Sequence, residues 1–107
     1  MTTFDKREDD FEKKFAHDEE LRFKAVARRN KLLGQWAAEK LGLKDAPADA
    51  YVKDVVAAAF GPGGDEGAFR KIRQDFDAKG VALSDHQIRR TMEELLTKAI
   101  EQIKTVG

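Results

Sequence analysis

The chain contains no cysteine. That absence excludes disulfides, thiolate metal sites and cysteine nucleophiles, and it is compatible with a reducing compartment. Long hydrophobic runs are also missing. No stretch approaches the ~18 apolar residues that a membrane span needs. The opening residues, Met1-Thr2-Thr3-Phe4-Asp5-Lys6, hold no apolar run of the kind a secretory signal requires. The expectation is a cytoplasmic protein that meets a membrane only through a partner. Net charge is absent too: 20 basic residues balance 20 acidic ones. A strong general attraction to nucleic acid or to an anionic membrane is therefore not expected. Prolines number only two, Pro47 and Pro62, and no strand-like alternation occurs.

What is present is length for one small core and a high charge density. At 107 residues a single domain is expected. Hydrophobic residues make up 41% and charged residues 37%, a balance that suits amphipathic helices with charged outer faces. The whole chain reads as helical. The predicted fold is all-α, a small four-helix bundle over 18–107 with a mobile N-terminal arm over 1–17.

The arm differs in kind from the rest. Between Thr2 and Phe15, Asp5, Glu8, Asp9, Asp10 and Glu12 mix with Lys6, Arg7, Lys13 and Lys14. Phe4, Phe11 and Phe15, spaced by seven and four, share one helical face. That stripe is thin, and an isolated helix of this length is marginal in water. The segment should be frayed when free and helical when docked.

Four helices follow. The first is predicted over Asp18–Leu41, with Asp18, Glu19 and Glu20 at the positive end of its dipole. Leu21, Ala25, Leu32, Leu33, Trp36, Ala37 and Leu41 form its buried stripe, and Gly42 stops it. Gly34, inside this helix, costs ~1 kcal/mol against alanine. Close approach of another helix is the preferred explanation, and a partner contact is the other. The second helix is predicted over Pro47–Phe60, with Tyr51, Val52, Val55, Val56, Ala59 and Phe60 facing the core. Gly61-Pro62-Gly63-Gly64 ends it. The third runs over Glu66–Lys79 with Asp65 as N-cap and Gly80 as a left-handed stop. The fourth opens with a capping box, Ser84 and Gln87, and a hydrophobic staple, Leu83 and Ile88. Its apolar face is Ile88, Met92, Leu95, Leu96, Ala99 and Ile103.

Signs of catalysis are few. His17 and His86 lack the company of ligands that zinc needs. Ser84 is the only serine, and capping already accounts for it. The Gly61–Gly64 run lacks the Gly-Lys-Ser/Thr ending and the preceding strand of a phosphate loop. No enzyme activity, catalytic residue, metal or cofactor is expected. One charge cluster stands out: residues 21–44 hold seven basic groups, Arg22, Lys24, Arg28, Arg29 and Lys31 among them, against Glu39 alone. A solvated helix face is the preferred account, a protein-docking surface the next, and a phosphate-backbone contact the least favoured.

The stretch from Phe11 to Ala38 is more particular than composition explains. Its Phe15-Ala16-His17-Asp18, Arg28-Arg29-Asn30-Lys31-Leu32-Leu33-Gly34 and Trp36-Ala37-Ala38 elements closely resemble the signature of the zeta-subunit family of alphaproteobacterial F-type ATP synthases. Val52–Val56 and Asp65–Lys71 match as well. The resemblance implies an inhibitor subunit with a four-helix bundle. Its N-terminal arm would insert at a catalytic interface between alpha and beta subunits, reach gamma, turn helical, and act as a one-way stop against ATP hydrolysis. It implies a role like that of the mitochondrial inhibitor protein on a different fold, with potency that varies among members. The partner is then the F1 sector of ATP synthase, with alpha, beta and gamma contacted. No nucleic acid, no direct membrane insertion and a free monomer are expected. Phe4, Phe11 and Phe15 are the candidate anchors, because large aromatics often dominate such grooves. Arg7, Glu8, Lys14 and Arg22 are candidate charged contacts that set register and specificity. The alternative is a synthase-binding assembly or stability protein with weak or no inhibition.

Overall fold

The computed structural model describes residues 18–106. The predicted arm, with Phe4, Arg7, Glu8, Phe11, Lys14, Phe15 and His17, lies outside the described residues. Over the described part the all-α prediction holds. Four helices run in order: α1 (Glu19–Lys40), α2 (Asp45–Phe60), α3 (Asp65–Lys79) and α4 (Asp85–Val106).

Each helix has a local reason for where it begins and ends. Asp18 is extended, and its carboxylate accepts from the backbone N–H of Glu20 and Leu21 at 3.0 and 3.2 Å. Two of the four orphan donors at this end are thereby satisfied. α2 begins at Asp45, two residues before the predicted start. Pro47 therefore sits inside the first turn, where a missing N–H costs nothing. α3 departs from prediction at its cap. Gly64, with φ +56°, precedes the helix, and Asp65 is already its first residue. The positive φ suits glycine and releases the Asp65 carboxylate for a different bond. α3 ends as predicted, with Gly80 left-handed at φ +71° and Val81 donating to the Phe76 carbonyl at 2.8 Å. That bond and the one from Gly80 to Asp77 make a Schellman closure. The capping box of α4 is complete. Ser84 N–H donates to Gln87 Oε1 at 2.8 Å, and Gln87 N–H donates to Ser84 Oγ at 3.1 Å.

α1 is the central element and packs against both α2 and α4, while α3 packs on α2. The core joins Leu33, Ala37 and Ala38 of α1 to Tyr51, Val55 and Ala59 of α2. Ala68, Phe69, Ile72 and Phe76 of α3 and Ile88 and Met92 of α4 complete it. Trp36 lies against Phe76, ring centroids 5.6 Å apart. Gly34 is explained by packing: a Cβ there would stand 2.9 Å from Val52 Cα, so α1 and α2 touch backbone to backbone. The predicted apolar faces are borne out at most positions. Leu21, Leu32, Trp36 and Leu41 are half-buried rather than sealed. Phe60 is the exception, turning half its surface outward instead of into the core.

Arg73 ties the α3–α4 corner together. One guanidinium nitrogen donates to the Leu83 carbonyl at 2.6 Å and to Asp85 at 3.1 Å, while the other side of the fork holds Asp77.

Candidate functional site

A polar cluster sits where α1, α3 and α4 meet. Arg29 of α1 is only 3% exposed. Its Nε donates to Asn30 Oδ1 at 2.9 Å, and its Nη2 donates to Asp65 Oδ1 at 2.5 Å. Burying a guanidinium is costly unless it is paired and hydrogen-bonded, and both conditions are met. Asn30 is fully buried beside it, and its Nδ2 has no hydrogen-bond partner among the described residues. One residue along α3, Glu66 receives a bidentate pair from Arg89 at 2.7 and 3.2 Å. The Arg89 guanidinium also lies 3.9 Å from the Phe69 ring centroid, a cation–π contact. The hydrogen bond from Arg89 holds the Glu66 carboxyl below the usual carboxylate range. The first turn of α3 is thus clamped by arginines from two different helices.

Arg29 alone departs from the solvated-face account of the basic run; Arg22, Lys24, Arg28 and Lys31 are exposed, as that account expects. Lys24 pairs with Glu20 at 3.4 Å, and Arg28 donates to Gln102 at 3.4 Å. Arg29 belongs to the interior. Lys31 borders a groove between α1 and α2. Arg22, a candidate partner contact, lies on the exposed side of the first turn of α1.

A second, partly buried polar cluster pins α2 to α3. The Tyr51 hydroxyl donates to Asp75 Oδ2 at 2.8 Å, and Lys71 Nζ donates to the same oxygen at 3.1 Å. Burial, with the Asp75 hydrogen bond and charge, pushes the Tyr51 phenol well above its ordinary value. The phenol stays a donor at any working pH, so this group acts as a strut.

Nothing among the described residues assembles a reacting centre. No group of three potential metal ligands occurs there, and His86 is exposed in the first turn of α4. The Ser84 hydroxyl is engaged as a cap. The Gly61–Gly64 run is a helix–helix connection. No described helix is long and apolar enough to cross a membrane.

The surface features that do stand out are apolar. Phe23 is 61% exposed and Phe60 50%, with ring centroids 5.7 Å apart at 32°. Beside them a groove of about 630 Å³ runs between α1 and α2, lined by Ala27, Lys31 and Gln35 on one wall and Val52, Lys53 and Val56 on the other. Sequence reasoning had placed Phe60 in the core and had not singled out Phe23. The available signal was phase: Phe23 falls off the stripe set by Ala25, Leu33 and Ala37. The pair stands within two turns of Asp18, where the described chain begins. The described residues therefore present an exposed aromatic pair and a largely apolar groove.

A comparison with curated proteins gave no match. A scan against family models matched residues 1–102 to the family described as ATPase inhibitor subunit zeta. That match covers the N-terminal segment together with all but the last turn of the bundle, and the chain belongs to this family of ATPase inhibitor subunits.

Proposed function

We propose that this chain is a regulatory inhibitor of F1Fo-ATP synthase whose working part is the N-terminal arm, residues 1–17, carried by the bundle formed by residues 18–107. The arm blocks ATP hydrolysis by inserting at an alpha/beta catalytic interface and reaching gamma. Phe4, Phe11 and Phe15 bury their shared face there, and Arg7, Glu8, Lys14 and Arg22 fix the register. The carrying observation is the family match, which spans the arm and the bundle together. The side-chain cap at Asp18 supports a division between them, because it closes α1 without help from upstream residues. In this reading the protein is cytoplasmic, peripheral to the membrane through the synthase, and needs neither catalysis nor cofactor of its own.

The test is ATP hydrolysis by the F1 sector stripped of its own zeta subunit. Full-length protein should inhibit, and a version beginning at His17, checked for helix content, should not. Inhibition by both would refute the arm's role. Inhibition by neither would favour the alternative, a synthase-binding protein for assembly or stability. The exposed Phe23–Phe60 pair, which lies outside the arm, would suit that role.

A further inference from the structure

Phe23 of α1 meets Phe60 of α2, and Gly34 meets Val52. The two helices therefore run antiparallel, and the groove between them has a readable order. The exposed rings stand at one end, and Ala27 and Val56 follow on the floor. Lys31 and Lys53 come next, one on each rim at nearly the same level, about 12 Å along from the rings at 1.5 Å per helical residue. Gln35, Asp49 and Val52 then join this groove to a second hollow of about 240 Å³ that reaches Leu43. From Phe23 to Glu39 the trough is about 24 Å long, the length of roughly 16 helical residues. Neither α3 nor α4 lines it.

The rim charges select the chemistry of an occupant. Elsewhere on the bundle lysines are paired: Lys24 with Glu20, and Lys71 with Asp75. Lys31 and Lys53 are exposed and make no ion pair among the described residues. Two cations facing each other across an apolar floor repel, and a carboxylate placed between them relieves that repulsion. Asp49 lies a turn beyond Lys53, away from the rings, so the stretch beside the rings is positive. The shape selects the conformation. No strand edge is present among the described residues, so an extended peptide would find no ladder for its backbone groups. A helix satisfies its own backbone and can lay an apolar stripe into such a groove. A bilayer surface would meet the rims and rings and leave the concave floor unfilled.

We infer that the α1–α2 groove is a docking site for an acidic amphipathic helix of a partner protein. A large apolar side chain of that helix lies against Phe23 and Phe60, and its acidic side chains, two turns along, sit between Lys31 and Lys53. The rings and floor supply affinity, and the lysines fix direction and register. This site does not depend on the inhibitor reading.

The test uses the isotope-labelled full chain and a synthetic helical peptide of about 16 residues, with leucines along one face and glutamates on both flanks. Amide signals of Ala27, Gln35, Val56 and Ala57 should shift saturably. A matched peptide carrying lysine at each glutamate position should bind about tenfold more weakly, because repulsion replaces two rim ion pairs. Lys31→Glu combined with Lys53→Glu should invert that order with helix content unchanged. Phe23→Ala combined with Phe60→Ala, both at exposed positions, should weaken both peptides. No saturable shift below about 1 mM glutamate peptide would overturn the docking site. Equal affinity for the two peptides, or an order that survives the double lysine reversal, would overturn its acidic occupant. Shifts confined to another face would overturn its location. Saturable shifts of the same amides with phosphatidylglycerol vesicles but not with peptide would assign the surface to a membrane. Shifts of these amides on dilution of the chain alone would assign it to a second copy, and either result overturns a partner helix. None of these measurements involves ATP hydrolysis, so failure here and failure of the inhibition assay are distinguishable.

Discussion

Arg29 shows how much one side chain can decide. It lies in a run of bases that reads as surface, yet it is buried against Asn30 and Asp65. Asp65 is itself 67% exposed, so the pair is one-sided. Removing the exposed partner leaves a buried cation unpaired, which costs more than an exposed pair is worth and less than a fully buried one. Asp65→Ala should lose about 2 kcal/mol in urea unfolding. Arg29→Met, which removes the charge with its need for a partner, should cost less. Equal losses in the two variants would show that the pair is not what governs this corner. The neighbouring Glu66–Arg89 pair sets a pH dependence. Its carboxyl is lowered in the folded state, so its contribution is fully present above the ordinary carboxylate range and fades as pH falls through the folded value. The pair is exposed, so the effect is small. Glu66→Gln should flatten the acid limb of a stability-versus-pH curve slightly and leave neutral pH almost unchanged. An unchanged acid limb would remove the pair from the account.

At the scale of elements, Gly34 separates intrinsic preference from packing. In an isolated helix, Gly34→Ala would gain about 1 kcal/mol. In this bundle the added Cβ meets the Val52 backbone at 2.9 Å, and backbone cannot rotate aside. The expected result is a net loss of about 1–3 kcal/mol by overpacking, read as a lower thermal midpoint; a stabilised protein would contradict the close contact. Helix ends were largely legible because their causes are local. The Ser84–Gln87 box, the Gly80 stop and the Asp18 cap each depend on residues within a few positions. Two boundaries moved for equally physical reasons. Asp45 rather than Pro47 opens α2, since proline is tolerated anywhere in a first turn. Gly64 displaced Asp65 as the cap of α3 because a residue with positive φ was needed there and Arg29 claims the carboxylate.

For the whole molecule, the division of labour between arm and bundle is the central proposal. Phe11→Ala should weaken inhibition of ATP hydrolysis while leaving the bundle's unfolding midpoint where it was. A shifted midpoint would mean the side chain is part of the bundle, and unaltered inhibition would remove it as an anchor. The four-helix class, the apolar face of α4 and the resemblance to zeta subunits were determined by sequence alone. Periodicity, capping and signature residues are written in order along the chain. Tertiary structure decided what depends on distance between positions far apart in sequence: that Arg29 meets Asp65, that Gly34 admits Val52, and that Phe23 and Phe60 stack in the open. The charge on Arg29 and the ring of Phe60 carry no mark of their surroundings. Only the packing of the helices against one another sends the first inward and the second out.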